Sequence, residues 1–371
     1  MQHTQDELKY WLALLFAKDV GPATAKRLLA AFGSPEAVFR ASLRDLTGVD
    51  GVGEARARQI TDFAAWDRID RELSAIRKLC TDIILYPDAE YPESLRPYDD
   101  APLVLYKKGT LAESDRYAVA IVGSRRMSEY GRKAADLMAR GLAEKGITVI
   151  SGFARGIDTT AHRGALSVGG RTIAVLGCGI DRSYPSENRP LFEEIPANGC
   201  LISEFPVGTP PVKENFPRRN RIISGMALGV LIVEAAEGSG SLITADYALD
   251  QNKEVFAIPG PISSANAKGT NQLIQKGAKL VGRVEDILEE LAPKLRGMLR
   301  SSSSSPAAFQ PQLEITPEEG AICTVLGDDP KQVDLIARET GVPPSRLSAV
   351  LLSLEIKGVI RQHDGKRFTL V

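Results

Sequence analysis

The run Val119-Ala120-Ile121-Val122-Gly123-Ser124-Arg125-Arg126 decides how this chain is read. Four apolar residues in a row are too few for a helix and leave no polar face for solvent. They predict a strand covered on both sides. The glycine allows a sharp turn into a helix that starts near Ser128. Free N–H groups at such a start attract an anion, and the planar fork of Arg125 suits a phosphate. In isolation, a plain strand-to-helix turn with a solvated arginine reads the same way. The pattern recurs, however. Thr148-Val149-Ile150 runs into Ser151-Gly152, Ile173-Ala174-Val175-Leu176 runs into Gly177, and Val230-Leu231-Ile232-Val233 and Val255-Phe256-Ala257-Ile258 follow. Such runs alternating with helical stretches predict an α/β fold: a Rossmann-like core with a mostly parallel sheet over residues 81–298, its strand-end loops gathered on one rim where ligands bind.

Working outward, residues 1–80 read as a helical domain, with Leu8, Trp11, Leu12, Leu15 and Phe16 at helical spacing. Val20-Gly21-Pro22-Ala23 and Val52-Gly53-Glu54-Ala55 form a faint internal repeat similar to paired helix-hairpin-helix (SAM-like) elements. Turn amides of such elements contact DNA phosphate in some copies and only pack in others. Beyond the core, Ser301 to Ser305 with Pro306 and Pro311 predict a flexible Ser/Pro linker over 299–312. Residues 313–371 follow a winged-helix pattern. Pro343-Pro344-Ser345 opens a helix with Leu347, Val350, Leu351 and Leu354 inward, closed by Lys357-Gly358, and Val359-Ile360 and Phe368-Thr369-Leu370 flank a hairpin turn at Asp364-Gly365. That helix offers only Arg346 and Lys357 as cations, so a protein-contact role competes evenly with duplex reading.

The chain has 371 residues, 46 Lys plus Arg against 47 Asp plus Glu, and a formal net charge of -1. A histone-like protein that binds nucleic acid by overall charge is excluded on that balance, so an anion site has to be a local concentration. No apolar run approaches the roughly 18 residues of a membrane helix. Trp11 to Ala17 is short and follows Asp6 and Glu7, so no signal peptide is expected. Cys80, Cys178, Cys200 and Cys323 are dispersed without a CxxC pair, which predicts reduced thiols and a cytoplasmic protein. Three scattered histidines argue against zinc, and neither a metal nor a cofactor is expected.

One local concentration stands out. Lys213-Glu214-Asn215-Phe216-Pro217-Arg218-Arg219-Asn220-Arg221 holds four cations against one acid, with an aromatic ring among them. Arginines track phosphates, and an exposed ring stacks on a base, a combination that favours single strands over duplex. The competing reading makes Phe216 a core residue and Asn220-Arg221 a local cap. Two further loops, Ser151-Gly152-Phe153-Ala154-Arg155-Gly156-Ile157-Asp158 and Gly238-Ser239-Gly240-Ser241, end strands and lack nucleotide signatures. The glycine loop has no Lys-Ser/Thr of a P-loop, and Gly177-Cys178-Gly179 is followed by Arg182 where a third dinucleotide-binding glycine belongs. Together the loops predict a backbone-lined, anion-tolerant groove. His162 near Ser151 suggests a nucleophile pair, but a structural, hydrogen-bonded histidine is the favoured reading.

These strings, taken with Ser203-Glu204-Phe205-Pro206, Ile222-Ile223-Ser224-Gly225, Leu242-Ile243-Thr244-Ala245, Ala257-Ile258-Pro259-Gly260 and Gly269-Thr270-Asn271-Gln272-Leu273-Ile274, resemble the DNA-processing protein A (DprA/Smf) family, collinearly from about residue 81 to 290. The two flanking domains match that family's optional domains more loosely. The resemblance implies a non-enzymatic protein that binds and protects incoming single-stranded DNA in natural transformation, loads the RecA recombinase onto it, and dimerises. Carried over by position, it implies a DNA pocket of Gly123, Ser124, Arg125, Lys213, Phe216 and the Gly238, Ser239, Gly240, Ser241 loop. The strand-end loop and the cation cluster add Ser151, Gly152, Arg155, Arg218, Arg219, Asn220 and Arg221. The implied dimer surface holds Leu249 and the segment from Asn271 through Ile274 to Leu280. The alternative is a nucleotide-cleaving, phosphoribohydrolase-like Rossmann enzyme. That group carries a catalytic glutamate inside a glycine-rich loop, and here the equivalent loop, Glu237 to Ala245, has no acid inside it. A winged-helix transcription regulator is disfavoured because the tail is small, tethered and net acidic.

Overall fold

In the computed structural model, which describes residues 3–301, 316–327, 331–343, 346–347, 350–351, 354, 360–363 and 367–370, the apolar runs are neighbouring strands of one nine-stranded sheet. The strands are β1 (Asp82–Leu85), β2 (Val104–Gly109), β3 (Ala118–Gly123), β4 (Thr148–Ser151), β5 (Thr172–Leu176), β6 (Gly199–Ser203), β7 (Gly229–Val233), β8 (Glu254–Ala257) and β9 (Lys279–Leu280). Their order is β1-β2-β6-β5-β4-β3-β7-β8-β9. Strand β2 runs antiparallel to β1 and β6, and every pair from β6 across to β9 is parallel. The chain thus steps from β3 outward to β6, then returns to lay β7 on the other side of β3. This reversal is a topological switch point, and it opens a crevice beyond the carboxyl ends of β3 and β7.

The N-terminal helices are α1 (Gln5–Phe16), α2 (Pro22–Phe32), α3 (Pro35–Arg40), α4 (Leu43–Thr47), α5 (Glu54–Thr61) and α6 (Trp66–Lys78). Those of the core are α7 (Glu129–Glu144), α8 (Ile157–Ser167), α9 (Arg189–Glu194), α10 (Asn215–Met226), α11 (Gly240–Asp250), α12 (Lys268–Gln275) and α13 (Val284–Ser301). Side chains alternate across each strand, so β3 feeds two cores. Val119 and Ile121 pack with Met138, Leu142, Ala161 and Ile287 of α7, α8 and α13. Ala118, Ala120 and Val122 pack with Ile222, Met226, Ala245 and Ala248 of α10 and α11. Burial on both faces is the physical reason the β3 run has no polar residue.

Residues 1–80 are not set apart from this core. Leu12, Leu28, Leu46 and Ile69 share a cluster with Leu85, Val104, Leu176 and Leu201. Lys26 Nζ donates to the Tyr98 carbonyl at 2.6 Å, and Val207 N–H donates to Glu72 Oε1 at 2.8 Å. The compact units are therefore two, one through Ser301 and one from Ser302 onward. Helix α13 continues through residues 299–301 of the expected linker; the rest of it, 302–312, lies outside the described residues. In the second unit, α14 (Pro317–Val325) starts on a Thr316/Glu319 capping box. It is followed by β10 (Lys331–Gln332), α15 (Val333–Thr340), β11 (Ile360–His363) and β12 (Arg367–Leu370), in sheet order β10-β12-β11. Leu347, Leu351 and Leu354 are buried with Ile322, Ile336, Ile360 and Phe368. The hairpin turn at Asp364-Gly365, the helix start at Pro344-Ser345 and Lys357-Gly358 lie outside the described residues. Among the described residues no helix is long and apolar enough to cross a membrane.

Candidate nucleic-acid interface

The switch-point crevice is a groove of about 900 Å³. One wall is the turn after β3, Gly123 to Arg126. The opposite wall is the turn after β7, Gly238 to Ser241, and the start of α10 supplies Lys213, Phe216 and Asn220. Gly123 is required by the pairing itself: a Cβ there would collide with the Val233 carbonyl oxygen on β7. Gly238 turns with φ +73, a conformation that side-chain-bearing residues rarely adopt.

Two helix N-termini point at this rim, and they differ in kind. The expected anion site at the start of α7 is already filled. Glu234, just past β7, accepts from the Ser128 N–H at 2.8 Å and from the Ser128 hydroxyl, and a Cβ on Gly131 would strike its carboxylate. An internal carboxylate thus satisfies the helix dipole where a phosphate was expected. The start of α11 is open. Ser239 Oγ accepts weakly from Ser241 N–H at 3.4 Å, Asn220 Nδ2 donates to the Gly240 carbonyl at 3.3 Å, and nothing stands within 4 Å of where a Gly240 Cβ would be. The backbone nest is therefore on the β7 side of the groove.

Phe216 lies between these walls, half-buried and packed over the end of β5, where a Cβ on Gly177 would approach its ring to 2.8 Å. The Arg125 guanidinium stands 5.0 Å from the ring centroid, and the Tyr184 ring lies 6.0 Å away at 35°. Arg125 and Lys213 are exposed and make no ion pair among the described residues. The arrangement offers an aromatic face beside two unpaired cations and open backbone amides.

The cation cluster divides by burial, since α10 is covered on every side from Arg219 onward. Arg219 is only 4% exposed; it donates to the Val175 carbonyl at 2.6 Å and to the Gly152 carbonyl, with Nε on Asn220 Oδ1 at 3.1 Å. Burial pulls it down to about 10, opposed by the nearby Asp158 carboxylate, so it remains charged near neutral pH. Asp158, buried beneath the groove, is pushed up by burial against the pull of Arg219, and it accepts from Ala154 N–H at 3.2 Å. Arg219 is a buried brace that reaches the floor, not a free phosphate ligand. Arg221 is removed from the direct contact set, because it is buried on Glu204 and the Asp100 carbonyl. Arg218 is exposed but stands over Phe205 and near Glu204, away from the groove lining. Ser151 is also removed: it is fully buried and donates to the Ile121 carbonyl at 2.6 Å. Gly152 presents backbone to the floor, and Arg155 sits exposed on the rim, paired with Glu187.

His162 does not meet Ser151. Thr172 Oγ1 donates to the Val149 carbonyl, so the 2.7 Å contact makes His162 Nδ1–H the donor to Thr172. Nε2 is buried without a partner. Burial lowers this imidazole to about 3, which keeps it neutral. Of the positions expected at a dimer surface, Leu249 and Leu280 are 58% and 51% exposed. Ile274 is half-buried against the core, and Asn271 spends its amide on both backbone groups of Gly260. Tyr184 and Asn266, which also line the groove, were not among the expected site residues. Only Tyr184 carried a local signal, as an aromatic beside proline in an otherwise polar stretch.

The chain matches the family described as DNA recombination-mediator protein A over residues 82–292, with the DprA winged helix domain over 305–366 and a SAM-like helix-hairpin-helix tandem over 12–65. It is 42% identical over 276 residues to the Smf protein of Escherichia coli K12, covering 74% of each chain. It is 45% identical over 200 residues to the DNA processing protein DprA of Streptococcus pneumoniae R6, covering 54% of this chain and 71% of that one. The solved DprA structure from Streptococcus pneumoniae superposes with a TM-score of 0.67 at 34% identity, over 78% of this chain and 99% of that chain. The DNA processing protein A of Helicobacter pylori, whose solved structure concerns its single-stranded DNA binding mode, superposes with a TM-score of 0.52 at 30% identity, over 58% and 96%.

Proposed function

Since the chain belongs to the DNA recombination-mediator protein A (DprA/Smf) family, we propose that it is a single-stranded DNA-binding protein that handles incoming DNA in natural transformation and passes it to the RecA recombinase. The observation that carries this reading is the half-buried Phe216 ring with the unpaired Arg125 guanidinium 5.0 Å above it, at the point where β3 and β7 part. A strand laid across it places phosphates on Arg125, Lys213 and the amides of Gly238 and Gly240, and stacks a base on the ring. In this reading Gly123, Ser124 and Asn220 shape the walls, and Arg219 and Gly152 hold the floor in place. The protein is a homodimer through the face that carries Leu249 and Leu280, and it acts in the cytoplasm.

The reading makes the protein a binder and not an enzyme. Of the acids near the groove, Glu234 is committed to the start of α7, Asp158 is buried beside Arg219, and Glu237 is exposed on the wall just ahead of the Gly238 turn. Cleavage of a nucleotide requires a carboxylate that acts on the sugar, so Glu237→Gln is the variant that checks the binder reading. The deciding experiment compares fluorescence anisotropy of one labelled oligonucleotide, alone and annealed to its complement. Tighter binding of the single strand, lost on Arg125→Ala with Phe216→Ala, is the expected result. Equal binding of both forms, or release of a base from a nucleoside monophosphate by the purified protein, refutes it.

A further inference from the structure

The buried face of α6 carries one acid. Ile69, Leu73 and Ile76 pack into the cluster shared with β2, β5 and β6, and Glu72, on the same face, is 7% exposed. A leucine would complete this apolar face, and a buried carboxyl costs free energy unless it is bonded. Burial pushes the Glu72 carboxyl up, and the Val207 N–H, which donates to Oε1 at 2.8 Å, pulls it back. That amide belongs to the loop 204–214, which leaves β6 and delivers Lys213 and the start of α10 to the groove. We propose that Glu72 is a positioning residue: through Val207 it braces this loop against the N-terminal helices and so sets where Lys213 meets the phosphate of a bound strand. The inference rests on the single-strand reading above and gives residues 1–80 a part in binding that needs no contact with DNA.

The loop can transmit the brace because it is restrained along its length. The Val207 side chain packs against the same cluster as α6. Gly208 N–H donates to Asp181 Oδ1 at 2.8 Å, Arg182 Nε donates to the Gly208 carbonyl at 3.1 Å, and Gly179 N–H donates to the Thr209 carbonyl at 3.0 Å. Thr209 closes a turn on the Pro206 carbonyl with both its N–H, at 3.1 Å, and its hydroxyl, at 2.7 Å. Pro210 and Pro211 then restrict the backbone, Val212 N–H donates to the Pro210 carbonyl at 3.0 Å, and Asn215 Nδ2 reaches the same carbonyl at 3.3 Å. A shift at Val207 is therefore passed on to Lys213 and not absorbed between them. Among the described residues, Glu72 is the one hydrogen-bond partner that residues 1–80 offer this loop. The anchors on the β5 side persist without it, so its loss displaces the Lys213 ammonium and does not free the loop.

The test compares Glu72→Gln and Glu72→Leu in the full chain, by anisotropy on labelled homothymidine at several salt concentrations. Glu72→Gln keeps an acceptor of the same reach and is expected to bind as the parent does. Glu72→Leu is expected to lose part of what Lys213→Ala loses and to flatten the log–log salt slope by up to about 0.7. In the Lys213→Ala background, Glu72→Leu should change affinity less than about twofold, since the ammonium through which it acts is gone. Coupling is reciprocal, so a bound strand must in turn steady the brace. Between residues 206 and 211 only Val207, Gly208 and Thr209 carry an amide hydrogen, and their hydrogen exchange in the unmutated protein is expected to slow when homothymidine binds. An unchanged salt slope in Glu72→Leu, an equal loss in Glu72→Gln, additive losses with Lys213→Ala, or exchange indifferent to DNA would overturn the brace. The exchange result decides if Glu72→Leu lacks a cooperative thermal transition. If Lys213→Ala weakens and flattens binding while Glu72→Leu does neither, the brace fails and the groove reading stands. If Lys213→Ala itself binds as the parent does, Glu72 has no contact to position and the brace falls with it.

Discussion

Gly177→Ala separates the position of the Phe216 platform from the charge around it. A Cβ at residue 177 would lie 2.8 Å from Phe216 Cδ1 and 3.1 Å from Cε1, and closing the gap from 2.8 to the 3.4 Å of ordinary contact moves the ring by about 0.6 Å. Phe216 is half-buried and its far side faces Arg125 and the groove, so this movement is available without rebuilding the core. The stability cost is expected at the low end of overpacking, about 1 kcal/mol. The full platform contributes about 1–3 kcal/mol of stacking to a bound single strand. A displaced ring keeps part of it, so Gly177→Ala should weaken binding by about 1 kcal/mol, roughly fivefold. The assay is anisotropy with labelled homothymidine at several salt concentrations, and the log–log salt slope should not change because no charge has moved. A double-mutant cycle with Phe216→Ala supplies the control. In the Phe216→Ala background, Gly177→Ala should add less than about 0.5 kcal/mol, since the ring through which it acts is gone. Additive losses in the cycle, or an unchanged Gly177→Ala affinity beside a strongly weakened Phe216→Ala, would refute the claim that this glycine seats the platform.

Arg125→Ala and Lys213→Ala should each flatten the salt dependence by about 0.7 in log–log slope and leave thermal stability unaltered. Arg221→Ala should behave in the opposite manner. It strands the buried Glu204 carboxylate, so urea unfolding should report a loss of about 3–5 kcal/mol, and a stable Arg221→Ala protein with impaired binding would return Arg221 to the contact set. His162 titrates at about 3 when folded against 6.5 unfolded. Between those values only the unfolded chain binds the proton, so stability should fall as pH drops from 6.5 toward 3, by at most about 1.4 kcal/mol per pH unit. Urea titrations across that window should show a shallower fall for His162→Gln; parallel curves would mean that this imidazole is not the group. Leu249→Glu with Leu280→Glu introduces charges at two exposed apolar positions and should yield monomers by light scattering, whereas an unchanged dimer mass would move the interface elsewhere.

Much of the fold could be read from sequence because its strands are short, apolar on both faces and punctuated by small residues. That pattern follows from burial of a parallel sheet between helix layers, and it is local. The candidate groove was legible to the extent that its parts are also local: the turn Gly123 to Arg126, the turn Gly238 to Ser241, and the aromatic at Phe216 among cations. The antiparallel insertion of β2 between β1 and β6 and the docking of α1 to α6 onto β2, β5 and β6 have no comparable local signature, since they depend on which surfaces meet after the sheet has formed.

The division is clearest in the run from Lys213 to Arg221. By itself the sequence determined that a cation-rich stretch with one ring would stand near the strand-end loops, because residue types and loop positions are written in order along the chain. Only the tertiary structure decided which of those cations are available. Helix α10 is buried all round from Arg219 to Met226, so Arg219 and Arg221 are consumed by Val175, Gly152, Asp100 and Glu204, while Lys213, ahead of the helix, remains exposed. It likewise decided that the start of α7 is closed by Glu234, 106 positions away along the chain, and that the start of α11 is open. A helix end, a guanidinium or a carboxylate is satisfied by whatever lies within about 3 Å of it, and that neighbour is chosen by how distant strands pair.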